Sequence, residues 1–367
     1  MGNNHIVFNR FMTSVVLIFI AALSLSAKEH EDNLDIQKQE SKDVVELIPA
    51  INLVNISTNQ RSMALGGLSN IVREKAYGVQ IGGLYNHIGS MGRGVAIAGL
   101  GNTVLGSYYG MQMGGLWNYN AEDSKGLMMG GLGNVAGDGF EGMQLAGLTN
   151  IAEEMKGVQL AGLVNISQDV YGLQFSGLTN VAKDVYGLQF AGLVNVAKRV
   201  KGVQFASILN VAEESNCPIG LINIVKNGSM GVALTYDVMG NALVSFRSGG
   251  RYTYGIIGVG CNQQTIEKIV AEAGYGVHIP VCEWLQVNNE VKATSPINTS
   301  SVNFGYLLAP SITLWEHCNL FGGASVNYLM SDTNLDFVPG YELWDKQSAD
   351  GVQRLYIGYQ VGVQYVF

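Results

Sequence analysis

The chain has 367 residues, and 21 Lys and Arg against 29 Asp and Glu give it a net charge of −8. An acidic chain lacks the basic face that nucleic-acid phosphates require, so a nucleic-acid partner is excluded. Hydrophobic residues make up 47% of the sequence and charged residues only 14%, which excludes a disordered chain. The 48 glycines and 6 prolines predict many short strands and turns.

The N-terminus, residues 1–27, has the organisation of a secretory signal peptide. Arg10 supplies the positive charge, residues 11–25 form an apolar stretch of 15, and small residues up to Ala27 offer cleavage positions. The first cysteine is Cys217, so a lipidated N-terminus is not expected. An apolar stretch of this length is short for a membrane-spanning helix, which needs about 20 residues. We therefore expect an exported protein.

Residues 28–47 form a charged leader with seven acidic and three basic side chains. A segment of this kind is typical of a solvated, mobile arm. The chain after the signal contains no apolar run of 18 residues, so no transmembrane helix is expected. A membrane would have to be crossed by β-strands.

A repeat of 15 or 16 residues fills residues 48–228. One asparagine marks each copy, and the last step alone shortens to 13. The asparagines are Asn55, Asn70, Asn86, Asn102, Asn118, Asn134, Asn150, Asn165, Asn180, Asn195, Asn210 and Asn223. The unit is too short for a helical-hairpin repeat and contains two glycines with several β-branched residues. The repeat is therefore built from β-strands.

Two β architectures fit this repeat. In a β-solenoid each unit is one coil, so Asn195 stacks on Asn180 and Asn210 in an amide ladder. Gly187 and Gly192 then mark the corners, glycine and alanine fill a narrow core, and the variable charged positions cluster on one edge. In a single large transmembrane barrel each unit is one strand, and the protein acts as a pore. A period of one strand, rather than of one hairpin, favours the solenoid.

Residues 229–367 have the pattern of an antiparallel barrel. Turn signals separate eight predicted strands. The predicted strands are 229–238, 242–248, 251–262, 271–283, 284–294, 301–316, 318–331 and 352–367. The longest turn, 332–351, is acidic and aromatic and is predicted to form an outer contact surface. An even number of strands suits a small barrel.

The last strand alternates along its whole length. Leu355, Tyr359, Tyr365 and Phe367 share an apolar face, while mostly polar or small residues occupy the other. This period of two fits a strand with one face toward lipid and one toward a lumen. A terminal aromatic residue after such a strand, with Tyr365 and Phe367 in phase, resembles the assembly signal of bacterial outer-membrane barrels.

The combination of signal peptide, Gly-Leu-x-Asn repeats and C-terminal β region resembles surface-repeat proteins of Gram-negative bacteria. The copies Gly162–Asn165 and Gly192–Asn195 carry the resemblance, which covers residues 48–225. The copy with Ser207 and Ile208 departs from it. The resemblance implies a surface location and no activity.

Chemical motifs are scarce. Cys217, Cys261, Cys282 and Cys318 form no C-x-x-C pair, so neither a zinc site nor a bridge is expected, and buried or lumenal thiols are predicted. His278 lies on the polar face of a strand without a serine two residues away. The glycines of 255–260 are strand glycines, not a phosphate loop. Asp332, Asn334 and Asp336 begin a calcium-loop spacing, but Phe337 replaces the required glycine.

The sequence predicts an all-β protein, a β-solenoid-like array followed by a small antiparallel barrel. The expected function is non-enzymatic binding or scaffolding at an outer membrane or cell surface, without cofactor or metal. Outer-membrane lipid, the barrel-assembly machinery and a surface polymer or protein ligand are the expected partners. The alternatives are the large-barrel pore and a lipid-modifying barrel enzyme.

Overall fold

The computed structural model describes residues 50–264, 269–297, 300–332, 340–348 and 351–367. The predicted signal peptide (1–27) and charged leader (28–47) lie outside the described residues, as do Asn334 and Asp336 of the predicted acidic loop. The described residues form an all-β protein in which a parallel solenoid of about twelve coils precedes an antiparallel barrel. The predicted fold class is confirmed.

Eighteen strands build the solenoid. They are β1 (Ala50–Gln60), β2 (Met63–Gly82), β3 (Tyr85–Ile88), β4 (Met91–Ala98), β5 (Gly101–Val104), β6 (Tyr108–Gly114), β7 (Trp117–Asn120), β8 (Ser124–Gly130), β9 (Gly133–Ala146), β10 (Thr149–Ala161), β11 (Val164–Ser176), β12 (Thr179–Val181), β13 (Asp184–Ala191), β14 (Val194–Val196), β15 (Arg199–Ala206), β16 (Leu209–Ala212), β17 (Glu214–Ile219) and β18 (Ile222–Val225).

Each coil pairs in parallel with the equivalent residues of the next. Asn165 is the register partner of Asn180, and Gly172 is that of Gly187. Strands of a membrane-spanning meander would pair antiparallel instead. The large-barrel alternative, on which the pore hypothesis depended, is therefore wrong for the repeats.

Two glycine columns turn the chain at the corners of each coil. Gly187 has φ +148° and Gly172 has φ +143°, a region open to few residues other than glycine. A Cβ on Gly172 would also lie 2.0 Å from the carbonyl oxygen of Gly157 in the preceding coil. At the second corner a Cβ on Gly192 would lie 1.9 Å from the carbonyl oxygen of Gly177. The predicted corners are confirmed.

The solenoid core is wider than glycine and alanine alone would make it. Val170, Val185 and Val200 stack in one column, and Ala182 and Ala197 stack beside them. Methionine and phenylalanine fill the valine column in earlier coils. The expectation of a narrow glycine and alanine core is corrected, because β-branched and aromatic residues fill one corner of the section.

Nine strands form the second sheet. They are β19 (Ser229–Asp237), β20 (Asn241–Gly249), β21 (Thr253–Asn262), β22 (Ile269–Cys282), β23 (Leu285–Pro296), β24 (Val302–Trp315), β25 (Cys318–Ser331), β26 (Tyr341–Ser348) and β27 (Gly351–Val366). Neighbours pair antiparallel, and β27 returns to β19, which closes a barrel of eight strands.

Strand β26 is the element that the sequence did not predict. It lies within the predicted acidic turn and pairs with the first half of β27, from Gly351 to Ile357. Strand β19 pairs with the second half, from Gln360 to Val366. Strand β26 therefore continues the edge of β27 beyond the point where β19 ends.

The two ends of the barrel differ in their connections. At one end the strands are joined across residues 250–252, 283–284 and 316–317. At the other end the connections include 263–268, 297–301 and the long segment 332–350. We call the first of these the short-turn end. The solenoid is connected to the start of β19 at this end, and β27 also ends there.

Candidate functional site

The asparagine side chains form a continuous ladder inside the solenoid. Each Nδ2 donates to the Oδ1 of the next asparagine, over 2.7 Å from Asn55 to Asn70 and over 3.0 Å from Asn195 to Asn210. Most of these amides donate to a backbone carbonyl as well, as Asn165 does to Phe175 over 2.7 Å. The twelve predicted asparagines are thus brought together in one column.

Both ends of the ladder are capped. Asn52 Nδ2 donates over 2.8 Å to Asn55 Oδ1, the first acceptor of the ladder among the described residues. At the other end Asn223 Nδ2 donates to the carbonyl oxygens of Gly220 (2.8 Å) and Ser248 (3.0 Å). Because Ser248 belongs to β20, the barrel closes the polar core of the solenoid.

A second amide ladder was not predicted. Gln159 Nε2 donates to Gln144 Oε1 over 2.8 Å, and the bonds continue through Gln174 and Gln189 to Gln204. These glutamines are fully buried. The signal was present, since the glutamines keep the phase of the asparagines, but Ala96 and Met128 interrupt the column in earlier coils.

The outer surface of the solenoid is divided into an apolar and a charged part. In the coil from Gly187 to Lys201 the side chains Leu188, Phe190, Leu193, Val194 and Val196 point outward. We call these positions and their equivalents in the other coils the apolar wedge. From Gly78 to Val225 no Asp, Glu, Lys or Arg occurs in this part of any coil.

The charged residues of the solenoid occupy the remaining part of each coil, around Lys198 to Lys201. We call this part the charged face. The predicted cluster of variable charged positions is found here. Lys125 Nζ pairs with Glu141 Oε1 over 2.6 Å, and both side chains are more than half exposed. Tyr171 and Tyr186 stack with ring centroids 4.9 Å apart.

Asp184 is the most enclosed carboxylate of the charged face. Arg199 Nε and Nη2 donate to its two oxygens over 2.7 and 2.5 Å. This bidentate hydrogen bond holds the pKa of Asp184 below its usual value. Asp184 itself is nearly buried while Arg199 remains half exposed, so the pair links two coils at the edge of the core.

The barrel interior contains a buried ion pair. Arg247 Nη1 donates to Glu290 Oε1 over 2.7 Å, and Nη2 donates to Oε2 over 3.2 Å. Tyr254 Oη donates to the same Oε1 over 2.7 Å. The guanidinium carbon lies 4.3 Å from the centroid of the Phe321 ring. These side chains cross the lumen.

A second pair fills the lumen further along. Lys292 Nζ lies 2.9 Å from Glu272 Oε2 and also contacts Gln360. Ser245 Oγ donates to Glu272 Oε1 over 2.8 Å. A carboxylate that receives a lysine and a hydroxyl in this way is satisfied inside the barrel.

The outside of the barrel has the opposite polarity. Strands β22 and β24 alternate in burial, with Val277, Ile279, Phe304, Tyr306 and Leu308 outward and exposed. On β27 the predicted apolar face is outward, with Ile357, Tyr359, Val361, Val363 and Tyr365 exposed, and Phe367 directly after the strand is exposed too. The outward side chains of these strands are therefore apolar, whereas the lumen holds the two ion pairs together with a small apolar cluster of Ala233, Leu307, Ala309 and Phe321.

His278 lies inside the barrel at the short-turn end. Its ring stacks on Tyr254 with centroids 4.1 Å apart and shares a 2.9 Å hydrogen bond with Asn288. It borders a polar cavity of about 530 Å³, lined also by Gln286, Thr313 and Glu316. The histidine is thus held by an aromatic ring and an amide.

The four cysteines are unpaired thiols. Cys261 and Cys282 are exposed, so the expectation of buried or lumenal thiols is wrong for these two. Cys261 lies on the outward face of β21 and Cys282 at the end of β22.

No group of three or more His, Cys, Asp or Glu that could hold a metal ion occurs within the described ranges. Among the same residues, none forms a helix long and apolar enough to cross a membrane.

A scan against protein-family models, a search of curated proteins and a search of solved structures found no match to this chain.

Proposed function

We propose that this protein is a membrane-anchored repeat protein of the Gram-negative outer membrane, in which the barrel is the anchor and the solenoid is a scaffold. The observation that carries the proposal is the polarity of the barrel. The Arg247–Glu290 pair lies inside a closed wall whose outward side chains are apolar. Membrane barrels have this inverted arrangement, because their outer surface contacts lipid.

The surface-repeat resemblance and the N-terminal signal support the same location. A cleaved signal would export the chain, and Tyr365 on β27 with Phe367 directly after it would be the aromatic residues that the barrel-assembly machinery recognises. Short turns of outer-membrane barrels face the periplasm and long loops face outward. The solenoid would then lie on the periplasmic side and the segment with β26 on the outside.

The scaffold role rests on the solenoid. Stacked coils extend one surface without a new fold, and here the charged face repeats lysine, glutamate and tyrosine at the spacing of a parallel ladder, about 4.8 Å. A long polymer or an extended protein would contact many equivalent positions at once. This face is the proposed binding surface, and catalysis is not part of the proposal.

The lumen disfavours the pore alternative for the small barrel as well. Arg247, Glu290, Tyr254 and Phe321 meet across the interior, and Lys292 reaches Glu272 and Gln360. An eight-stranded barrel has an interior just wide enough for side chains to fill it. Planar bilayers containing the protein should therefore show no steady ion conductance.

Membrane anchoring is tested with the full chain after export in a Gram-negative host. We expect the protein in the outer-membrane fraction, resistant to carbonate extraction, with a folded form that migrates differently from the boiled form on a denaturing gel. Removal of Phe367 should lower the folded fraction, whereas Phe304→Leu should not. A soluble periplasmic protein would overturn the proposal.

A further inference from the structure

The last coil of the solenoid packs against the outer wall of the barrel. Asn223 N–H donates to Ser248 Oγ over 2.9 Å, and the hydroxyl of Tyr275 donates to the carbonyl oxygen of Ser207 over 3.5 Å. A Cβ on Gly255 would lie 2.1 Å from the carbonyl oxygen of Gly220. The outward residues of the wall are therefore small or polar at this contact, whereas elsewhere on the barrel they are apolar.

The contacts fix how the coil is oriented on the wall. Near the short turn, Tyr252 N–H donates to Asn216, which belongs to the charged face. Further along β21, Gly255 meets Gly220 and Leu221 at the Gly-Leu corner. The charged face thus lies at the end of the barrel, and the Gly-Leu corner lies further up its apolar wall.

The Gly-Leu corner continues as a column along the whole solenoid. Its members are between 36% and 47% exposed, although each is leucine or isoleucine. They are Leu68, Leu84, Leu100, Leu116, Leu132, Leu148, Leu163, Leu178, Leu193 and Ile208. Together with the rest of the apolar wedge they form an apolar surface far longer than soluble proteins usually leave in water.

The barrel wall above the contact is also apolar and concave. A groove of about 710 Å³ is lined by Val232, Phe246, Ile257 and Ala273, and it lies on the same outward side as Ser248 and Tyr275. The apolar wedge and the outer wall of the barrel therefore adjoin where the last coil contacts the barrel. A lipid layer in contact with the wall would also contact the wedge.

We infer that the solenoid is embedded in one leaflet of the membrane, with the apolar wedge in the acyl chains and the charged face in water. This inference rests on the proposed function, because the barrel sets the position of the membrane. The short-turn end places it in the periplasmic leaflet. The ligand of the wedge is thus a lipid surface.

The dimensions and the hydrogen bonds of the coil suit this position. The part of β13 from Leu188 to Ala191, which belongs to the apolar wedge, has four residues and spans about 13 Å. This length is close to half of a hydrocarbon core of about 30 Å. The backbone of an inner coil is paired with the coil on either side. Lipid can therefore contact the wedge without leaving peptide groups unsatisfied.

The test measures the depth of labelled side chains in the full-length protein. The four native cysteines are replaced by alanine, and single cysteines are introduced as Leu163→Cys in the wedge, Lys183→Cys on the charged face and Val361→Cys on the barrel wall. Each carries an environment-sensitive fluorophore. The proteins are folded into phosphatidylethanolamine and phosphatidylglycerol vesicles that contain nitroxide-labelled lipid, and aqueous iodide is the second quencher.

We expect the Leu163→Cys label to emit at a shorter wavelength than the Lys183→Cys label. Lipid nitroxide should quench it as strongly as the Val361→Cys label, and iodide should leave it bright. Iodide quenching of the Leu163→Cys label beside a lipid-quenched Val361→Cys label would overturn this inference alone. Iodide quenching at both positions would overturn membrane anchoring too. Leu178→Cys in the next coil repeats the measurement if Leu163→Cys does not fold.

Discussion

Asn165 shows why a polar residue can hold the centre of this fold. Its Oδ1 accepts from Asn150, and its Nδ2 donates to the side chain of Asn180 and to the carbonyl oxygen of Phe175. A buried amide is costly unless its donors and acceptors are paired, and stacking identical residues pairs them repeatedly. The ladder therefore fixes the register of every coil.

Replacing Asn165 with alanine should interrupt the ladder. The Asn150 donor and the Asn180 acceptor would each lose a partner in a dry core, and we expect a loss of about 2–4 kcal/mol of unfolding free energy. Urea unfolding of the full chain in detergent, followed by circular dichroism, measures it. Gln168→Ala is the control, because Gln168 is exposed and should change stability by less than about 0.5 kcal/mol. Equal midpoints for the two variants would contradict the role of the ladder.

The backbone geometry requires glycine at position 172 but not at position 133. At Gly172 the φ of +143° and the carbonyl oxygen 2.0 Å from a Cβ both oppose a side chain. At Gly133 a Cβ would meet only the carbonyl oxygen of Thr149, at 3.2 Å, and other coils carry threonine or valine there.

Gly172→Ala should therefore destabilise the protein by about 1–3 kcal/mol or more, since it adds backbone strain to a steric clash. Gly133→Ala is the matched control and should stay within about 0.5 kcal/mol of the parent protein. The same urea titration compares them. Tolerance of alanine at Gly172 would show that the corner can open.

At the scale of elements, the sequence predicts most of the architecture. A period of one strand distinguishes stacked coils from a meander, and alternation predicts the barrel strands to within about two residues, as in 318–331, which matches β25. Both patterns arise because side chains are buried at regular intervals, every second residue along a strand and once in every coil of the solenoid.

The misses have physical reasons too. Strand β26, Tyr341–Ser348, is exposed on both faces, so burial imposes no period on its sequence. The glutamine ladder is broken by Ala96 and Met128. The contact between the last coil and the barrel wall depends on Gly255, where a side chain would collide with the carbonyl oxygen of Gly220. The need for glycine at this position follows only from that contact with a distant part of the chain. Contacts between elements far apart in sequence leave no periodic trace.

The pairing of neighbouring coils through Asp184 predicts a pH effect. The pKa of Asp184 is lowered in the folded protein by the hydrogen bonds from Arg199. A lowered folded pKa stabilises the protein above the ordinary pKa of aspartate, and this stability is lost as the pH falls through the folded value. Acid titration should therefore weaken the link between these coils.

Asp184→Asn is expected to cost about 1 kcal/mol or less at pH 7, because Arg199 is half exposed, and to cost nothing at a pH below both pKa values. Urea midpoints at several pH values measure the difference. Gln168→Ala is again the control, because Gln168 is exposed and carries no charge that acts on Asp184. A deficit that persists unchanged in acid would show that the variant disturbs packing instead of charge.

At the scale of the whole molecule, the solenoid and the barrel each satisfy groups that the other would leave exposed. The barrel supplies the carbonyl oxygen of Ser248 that ends the asparagine ladder, and the solenoid covers the small outward residues around Gly255. An open end of a solenoid would expose unpaired backbone and invite further stacking. The junction therefore ends the array as well as joining it to its anchor.

The buried pair in the lumen allows a test of what holds the barrel together. Arg247→Met alone would leave the Glu290 carboxylate with the Tyr254 hydroxyl but without its counter-ion, and Glu290→Met alone would leave the guanidinium unpaired. Each should destabilise the barrel by about 3–5 kcal/mol. The double variant should recover much of that loss, because two apolar side chains of similar size fill the same space. Urea unfolding of the barrel in detergent, followed by tryptophan fluorescence, measures all four proteins. Additive losses in the double variant would show that the two charges act independently of one another.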